Sequence, residues 1–395
     1  MHVAVVAGPD PGHAFPAMAL CRRLQAAGDS AALITGSRWL EHAADRGIEA
    51  HELPGLLMQP GTRDDDVGRR IHERAAVMST LMLQDLNQMM PDLVVSDVIT
   101  VAGAFAAERL GIPWAELSPH PLYLPSRGLP PIGSGLEPGK GVLGRARDTV
   151  LRAAVARDLR KGQRQRARVR STIGLPVREP GPRARLIATL PGLEVPRPDW
   201  PAEAFIIGPL IWEPGSAELP LPVGDAPVVA VSPSTASQGG AEGVLEAVVA
   251  GLGRGGPPSF RVAATMLKEP PANLPSWAAA GPGRQDILLQ QASVLVCGAG
   301  HGIIARGLLA GLPLVLVPGG GDQRELAGRV TRLGAGVAVW PQADGTPDPT
   351  QIAAAIDLVT SDPAYARAAS RAAQSASRAD DVVRLCRDVV SKLRG

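Results

Sequence analysis

His2-Val3-Ala4-Val5-Val6-Ala7-Gly8-Pro9-Asp10-Pro11-Gly12-His13 is the stretch on which the fold turns. Residues 3–7 read as a short buried strand, and 8–13 as a Gly/Pro loop. Residues 14–27 read as a helix closed by Gly28. A second strand follows at 31–34. The rhythm returns with a strand at 93–96 and a helix at 101–110, after which Gly111-Ile112-Pro113 leads into another strand. Strands separated by helices run parallel and carry helices on both faces, which predicts a doubly wound α/β architecture.

Outward from that stretch the rhythm stops. Residues 119–185 hold Pro/Gly loops and an arginine-rich stretch of helical character, and eight prolines fall between Pro196 and Pro227. It resumes at Val228-Val229-Ala230-Val231-Ser232 and continues through a strand at 294–297, a helix at 304–310 and a strand at 314–317. The expected organisation is an amino-terminal domain over 1–212, a linker over 213–226 and a carboxy-terminal domain over 227–395. The last helix could pack back onto the first domain. A chain of 395 residues is too long for one ordinary core, and 45% apolar content can fill two.

Composition narrows the function. Forty Lys plus Arg against 38 Asp plus Glu leave a formal charge of +2, which excludes a dedicated nucleic-acid binder. Aromatic residues are only 3%, so a ligand site has few rings to stack with. Cys21, Cys297 and Cys386 are too few and too scattered for a disulfide frame or a metal cluster, which points to a reducing compartment, the cytoplasm. No signal peptide and no spanning helix is expected, because Asp97, Arg306 and Pro313 interrupt the longest apolar stretches.

In doubly wound folds ligands bind at the carboxyl ends of the strands, which directs attention to loops 8–13, 97–100, 232–238 and 298–303. His13 stands at the mouth of the first helix, where a lowered pKa would favour the neutral base; a surface-loop histidine is the plainer alternative. Asp97 ends a strand on the same sheet edge and could fix the tautomer of His13, or simply start the next helix. Cys297-Gly298-Ala299-Gly300-His301-Gly302 suits a diphosphate at a helix N-terminus, or is a tight turn. Asp322-Gln323, after Gly319-Gly320-Gly321, could hold sugar hydroxyls, or open a helix. The G-x-G-x-x-G fingerprint is absent, which argues against a nicotinamide oxidoreductase.

The order of these motifs resembles the nucleotide-sugar glycosyltransferases of the GT-B fold, in particular the family 1 enzymes that glycosylate natural products in bacteria. The resemblance is carried by Pro-Gly-His-Ala-Phe-Pro-Ala-Met-Ala-Leu (11–20), Asp92-Leu93-Val94-Val95-Ser96-Asp97 and residues 285–337. The last of these includes Gly-Leu-Pro-Leu-Val-Leu-Val-Pro (311–318) and Leu333-Gly334-Ala335-Gly336-Val337. It implies two Rossmann-like domains facing a cleft and sugar transfer with inversion. The donor would be a UDP- or dTDP-type nucleotide sugar, and the acceptor a hydroxyl of a small, largely apolar molecule. In that scheme His13 is the general base and Asp97 its partner, while Asp322 and Gln323 hold the sugar. Ser234, Thr235, Gly298, Gly300, His301 and Gly302 meet the diphosphate, and Arg284 and Gln285 lie near the base. The implied chemistry needs neither metal nor cofactor. Its partners are the two small molecules, with no nucleic acid and no integral membrane segment; self-association into a homodimer is left open.

The sequence departs from the family on the donor side. Where the family writes His-Gly-Gly-x-Gly-Thr, this chain has Gly298-Ala299-Gly300-His301-Gly302-Ile303, and the position of a ribose-binding glutamate holds Arg306. An aromatic-Pro-Gln signature reads Gly281-Pro282-Gly283-Arg284-Gln285. An altered donor is one reading; a non-catalytic relative that binds a nucleotide or assists a partner enzyme is the other. Met58, Met78, Met82, Met89 and Met90 read as core or as an adaptable acceptor pocket. Nine arginines and Lys161 between Arg145 and Arg170 read as a solvated helix rather than one that meets an acidic acceptor or an anionic membrane.

Overall fold

The computed structural model describes residues 1–56, 66–233, 243–254, 259–267 and 269–392. Its first half is a seven-stranded parallel sheet built from β1 (His2–Val6), β2 (Ser30–Thr35), β3 (Glu49–Glu52), β4 (Leu93–Asp97), β5 (Trp114–Ser118), β6 (Arg185–Ile187) and β7 (Ala204–Ile206), ordered β3-β2-β1-β4-β5-β6-β7. Around it lie α1 (Pro11–Ala26), α2 (Leu40–Ala44), α3 (Val67–Leu81), α4 (Leu83–Met89), α5 (Ala102–Leu110) and α6 (Gly141–Thr172). The second half is a six-stranded parallel sheet of β8 (Val228–Ser232), β9 (Arg261–Thr265), β10 (Ala278–Gly281), β11 (Ala292–Cys297), β12 (Leu314–Leu316) and β13 (Gly336–Ala338), ordered β10-β9-β8-β11-β12-β13. Its helices are α7 (Val244–Leu252), α8 (Gln285–Gln291), α9 (His301–Leu309), α10 (Asp322–Leu333), α11 (Pro349–Ser361), α12 (Pro363–Gln374) and α13 (Val382–Ser391).

Both sheets reverse direction beside their first strand. The chain leaves β1 toward β2 and β3, then returns to place β4 on the other side of β1; β8 and β11 repeat the arrangement. Such switch points leave a crevice at the carboxyl ends of the two central strands. The central strands are largely apolar and buried over most of their length, as parallel strands covered by helices require. The helices that follow the switch points press closely on the sheets. A Cβ at Gly103 of α5 would come within 2.9 Å of Val6, and one at Gly307 of α9 within 2.6 Å of Leu295.

The two halves exchange segments. Leu190 and Leu193, from the end of the first half, are buried in the core of the second, beside Ala368, Ala369 and Ala372 of α12. In return α13 buries Val382, Leu385, Cys386 and Val389 among the residues of β1 and α1, and Arg387 donates to Asp29 at 3.1 Å. All three cysteines are free and buried, and burial pushes each thiol up to about 12.

Met78 and Met82 are core, Met89 is packed against it, and Met90 is exposed; Met58 lies outside the described residues. The arginine-rich stretch is α6. Arg170 forks onto Glu108 of α5 at 3.0 and 2.6 Å, pinning the inner end of α6, while Val142, Leu143 and Val150 are exposed at its outer end. Among the described residues no helix is long and apolar enough to cross a membrane.

Candidate active site

Local hydrogen bonds set the loop after β1. The Thr35 hydroxyl donates to the Gly8 carbonyl at 3.2 Å, and the Trp39 indole N–H to that of Pro9 at 2.6 Å. Pro11 then starts α1, three residues earlier than the sequence pattern suggests, because proline's fixed φ suits the first helical position and its missing N–H is not needed there. His13 therefore sits inside the first turn rather than in the loop. Its amide and that of Ala14 both donate to the Asp10 carbonyl at 2.9 Å.

β4 lies beside β1, with Ser96 opposite Val6, so Asp97 ends one residue beyond that pair and faces α1. The Nδ1–H of His13 donates to Asp97 Oδ1 at 2.6 Å. The second oxygen of Asp97 accepts the amides of Ile99 and Thr100 at 3.2 and 3.1 Å. Asp97 thus both organises its turn and holds the histidine. Its side chain is 0% exposed against 18% for His13, so the carboxylate is sequestered while the imidazole reaches the cleft. Burial by itself lowers the pKa of His13, but the carboxylates of Asp97, Asp10 and Asp322 outweigh it and the net shift is upward. This reverses the lowering expected from the helix terminus: the fully buried carboxylate at 2.6 Å acts more strongly than the partial positive charge of the helix end.

Across the cleft, α10 begins at Asp322. That carboxylate is exposed and close enough to act on His13, on His120 and on Tyr123. Gln323 is buried and its Oε1 accepts the Gly319 amide at 2.8 Å, bracing the glycine loop. His13, Asp97 and Asp322 are thereby brought to one cleft.

The loop after β11 is built differently. Ala299 is held at φ 59°, a left-handed conformation that glycine accepts at little cost and alanine does not. A Cβ added at Gly300 or Gly302 would meet nothing within 4 Å, so the loop's outer face is open. The His301 imidazole turns to the other domain. It accepts the Thr189 hydroxyl at Nε2 (2.9 Å) and bonds the Pro119 carbonyl. Burial first, then the nearby His120 and Arg329, lowers its pKa to about 3. Ser234 and Thr235 lie outside the described residues. The Gln285 amide donates to Ser232 and Thr265 at 3.1 and 3.3 Å, tying together the ends of β8 and β9. Arg284 pairs with Asp286 at 2.6 Å. Arg306 pairs with Glu213 at 2.9 Å and also donates to the Trp212 carbonyl.

Several cleft residues escaped the sequence reading. His120 and Tyr123 follow β5, the strand beside β4, and their rings stack at 4.2 Å and 14°. The strand-end rule could have found His120, since Ser118-Pro119-His120 leaves a sheet edge already under scrutiny. A buried ionic group joins the domains: Arg329 of α10 donates to Glu194 at 2.7 Å and to Glu325 at 3.0 Å. Nothing in the local sequence marks that group.

A family model described as the erythromycin biosynthesis protein CIII-like C-terminal domain matches residues 284–388. The chain is 27% identical to 4'-demethylrebeccamycin synthase of Lentzea aerocolonigenes over 379 residues, covering 85% of this chain and 86% of that protein. Among solved structures it matches the spinosyn forosaminyltransferase SpnP with a TM-score of 0.73 at 16% identity, covering 99% of each chain. It also matches the Streptomyces sp. SF2575 glycosyltransferase SsfS6, solved with thymidine diphosphate, with a TM-score of 0.68 at 20% identity, covering 98% of this chain and 99% of that one. With two parallel-sheet domains and a cleft between their switch points, the chain has the fold of the GT-B glycosyltransferases, and its residues 284–388 are similar to the EryCIII-like carboxy-terminal domain.

Proposed function

We propose that the protein transfers a sugar, with inversion, from a UDP- or dTDP-type nucleotide sugar to a hydroxyl of a small, largely apolar acceptor in the cytoplasm, without a metal ion. The observation that carries this reading is the His13–Asp97 contact of 2.6 Å, held at a switch point and opposite Asp322. Asp97 holds the proton on Nδ1, so Nε2 is the atom available to take the acceptor's proton as its oxygen attacks the anomeric carbon. Attack from the face opposite the leaving nucleotide inverts that carbon in one step. Asp322 and Gln323 lie on the sugar side. The amides of the loop after β11 and the N-terminus of α9 suit the leaving diphosphate. The thymidine diphosphate bound to SsfS6 and the rebeccamycin-type product in the name of the full-length relative are in keeping with that donor and acceptor.

A second reading, a donor-altered or non-catalytic relative that binds a nucleotide or assists a partner enzyme, draws on one observation. His301, in the position that would have to stand in for the missing histidine at 298, is committed to Thr189 and Pro119.

His13→Ala separates the two. The first reading expects turnover to vanish while UDP or dTDP raises the melting temperature as it does for the parent protein. Stabilisation by none of UDP, dTDP, GDP and ADP favours the second reading, and equal loss of turnover and nucleotide binding in His13→Ala sinks the assignment of the base.

A further inference from the structure

α6 carries an arrangement that sugar transfer does not use. From composition alone its arginine-rich stretch reads as a solvated helix; the structure shows which face is free and what stands on it. Several cations of the helix are paired with carboxylates: Arg147 with Asp148 at 2.8 Å, Lys161 with Asp66 at 2.7 Å, Arg166 with Glu179 at 2.8 Å and Arg170 with Glu108 at 2.6 Å. Val169 and Arg170 are buried beneath its inner end.

The opposite face is one line of exposed side chains spaced three or four residues apart, which on a helix stand one above the other. Val142, Ala146, Val150 and Ala153 form its first half, with Leu143 beside them. Arg157, Arg160, Arg164 and Arg168 form its second half. Val142, Leu143 and Val150 are 75%, 87% and 68% exposed. At 1.5 Å per residue the line is about 39 Å long. The two acidic residues of the helix, Asp148 and Asp158, stand off it. None of its four guanidinium groups has a hydrogen bond, ion pair or ring contact among the described residues. Ordinary solvated faces intersperse both signs of charge, whereas arginines three or four apart repel one another until a counter-charge arrives.

Two features select the occupant. Charge complementarity requires an anionic one. The apolar groups are gathered at one end of a convex helix face instead of being interleaved with the arginines. A planar leaflet accommodates both halves, the apolar end sinking below the headgroups while the arginines stay among the phosphates. The apolar end is also the one on the cleft side. The chain enters α6 from Gly135, where a Cβ would lie 3.0 Å from the Arg324 carbonyl of α10.

We propose that the outer line of α6 docks the protein on an anionic lipid surface, with Val142, Leu143 and Val150 entering the headgroup–acyl boundary and Arg157, Arg160, Arg164 and Arg168 pairing with lipid phosphates. The docking goes beyond the sugar-transfer reading and does not depend on it. Where that reading holds, docking brings the cleft to the phase in which a largely apolar acceptor dissolves. Four charges and three side chains make a reversible, salt-weakened association rather than an anchor.

The full chain is sedimented with vesicles of phosphatidylcholine alone and with vesicles of two parts phosphatidylcholine to one part phosphatidylglycerol. It is expected to pellet with the second and not the first, and to be released as sodium chloride is raised. Arg157→Gln, Arg160→Gln, Arg164→Gln and Arg168→Gln in one chain should lose about tenfold or more of that partition, since each arginine near an anionic surface is worth about fivefold. Val142→Ser, Leu143→Ser and Val150→Ser together should lose about tenfold at unchanged charge. Both variants change exposed side chains and should melt as the parent does. Arg367→Gln, Arg371→Gln, Arg378→Gln and Arg384→Gln remove as much charge from exposed sites near the carboxy-terminal end of the chain, and should bind as the parent does. Equal loss in that control, or no loss in the serine variant, reduces the binding to general charge and overturns the proposal. Absence of binding to the anionic vesicles overturns it too, and retention by soluble polyglutamate in that case assigns the face to an acidic protein. Vesicle binding by a protein that neither binds UDP or dTDP nor transfers sugar would leave this inference standing and remove the proposed function.

Discussion

His13 and His301 occupy similar though not equivalent places, His13 after β1 and His301 after β11, the counterpart of β4. Each lies in the first turn of the helix that leaves a switch point of a parallel sheet, and each follows a loop containing glycine. Their chemistry is opposite. His13 donates to a fully buried carboxylate, and its pKa is raised. His301 is bonded to a hydroxyl and a carbonyl, and burial lowers its pKa to about 3. The helix end and the glycines do not decide between these outcomes; the charge of the partner does. One histidine is a carboxylate-bound group at the edge of the cleft, the base of the proposed reaction; the other is a neutral strut between the domains.

The contrast breaks first at His13. His13→Ala is expected to cut turnover by about 10³-fold or more, near the middle of what a positioned base contributes, with nucleotide affinity within twofold; initial rates and calorimetry on the same preparation check it. Asp97→Asn should cost about 10²-fold and also move the pH profile. Because the proton-accepting form of His13 is the neutral one, kcat/KM should rise with pH through a limb above 6.5 in the parent. Loss of the carboxylate leaves burial dominant and brings that limb to lower pH. A limb that stays in place would mean another group titrates.

At His301 the expected effect is on stability. Its folded pKa of about 3 lies below the ordinary 6.5, so between those values the unfolded chain binds the extra proton and stability falls as the pH falls. About 2 kcal/mol should be lost by pH 5 through this residue. His301→Gln should flatten that part of the stability profile, read by denaturant unfolding at pH 7 and pH 5. For His13 the sign is reversed: its raised pKa contributes stability below the unfolded value that disappears as the pH rises through the folded one. The smallest effect is expected at Asp322→Asn. Removing this charge should raise the donor KM about tenfold, in line with one charge-assisted hydrogen bond, and slightly lower the pH of the His13 limb. A KM unchanged in the variant would remove Asp322 from the sugar.

How far the site could be read in advance varies from residue to residue. His13, Asp97 and Asp322 stand at strand ends, and the rule that ligands gather there needs only the alternation of apolar and helical segments. Tyr123 and Glu194 are 71 positions apart in the chain, and no periodicity connects them; they meet because β6 pairs with β5 and the segment after β6 returns to the cleft. The aromatic poverty of the chain discouraged any expectation of a ring at the site, yet one of its two tyrosines is there. His301 invited a phosphate-binding role from its place in a glycine loop. The side chain's actual partners come from the other domain, and a local reading has no access to them.

The sequence by itself determined the alternation of strand and helix, the proline-rich break between two such runs, and the histidine and carboxylates at strand ends. These follow from local patterns of burial and turn chemistry. Only the tertiary structure decided the strand order that creates the switch points, the docking of α13 on the first domain, and the direction in which each histidine's pKa moves. Those depend on contacts between distant segments, and for an imidazole the sign of its shift is set by whether the chain brings a carboxylate against it or buries it among neutral and cationic groups.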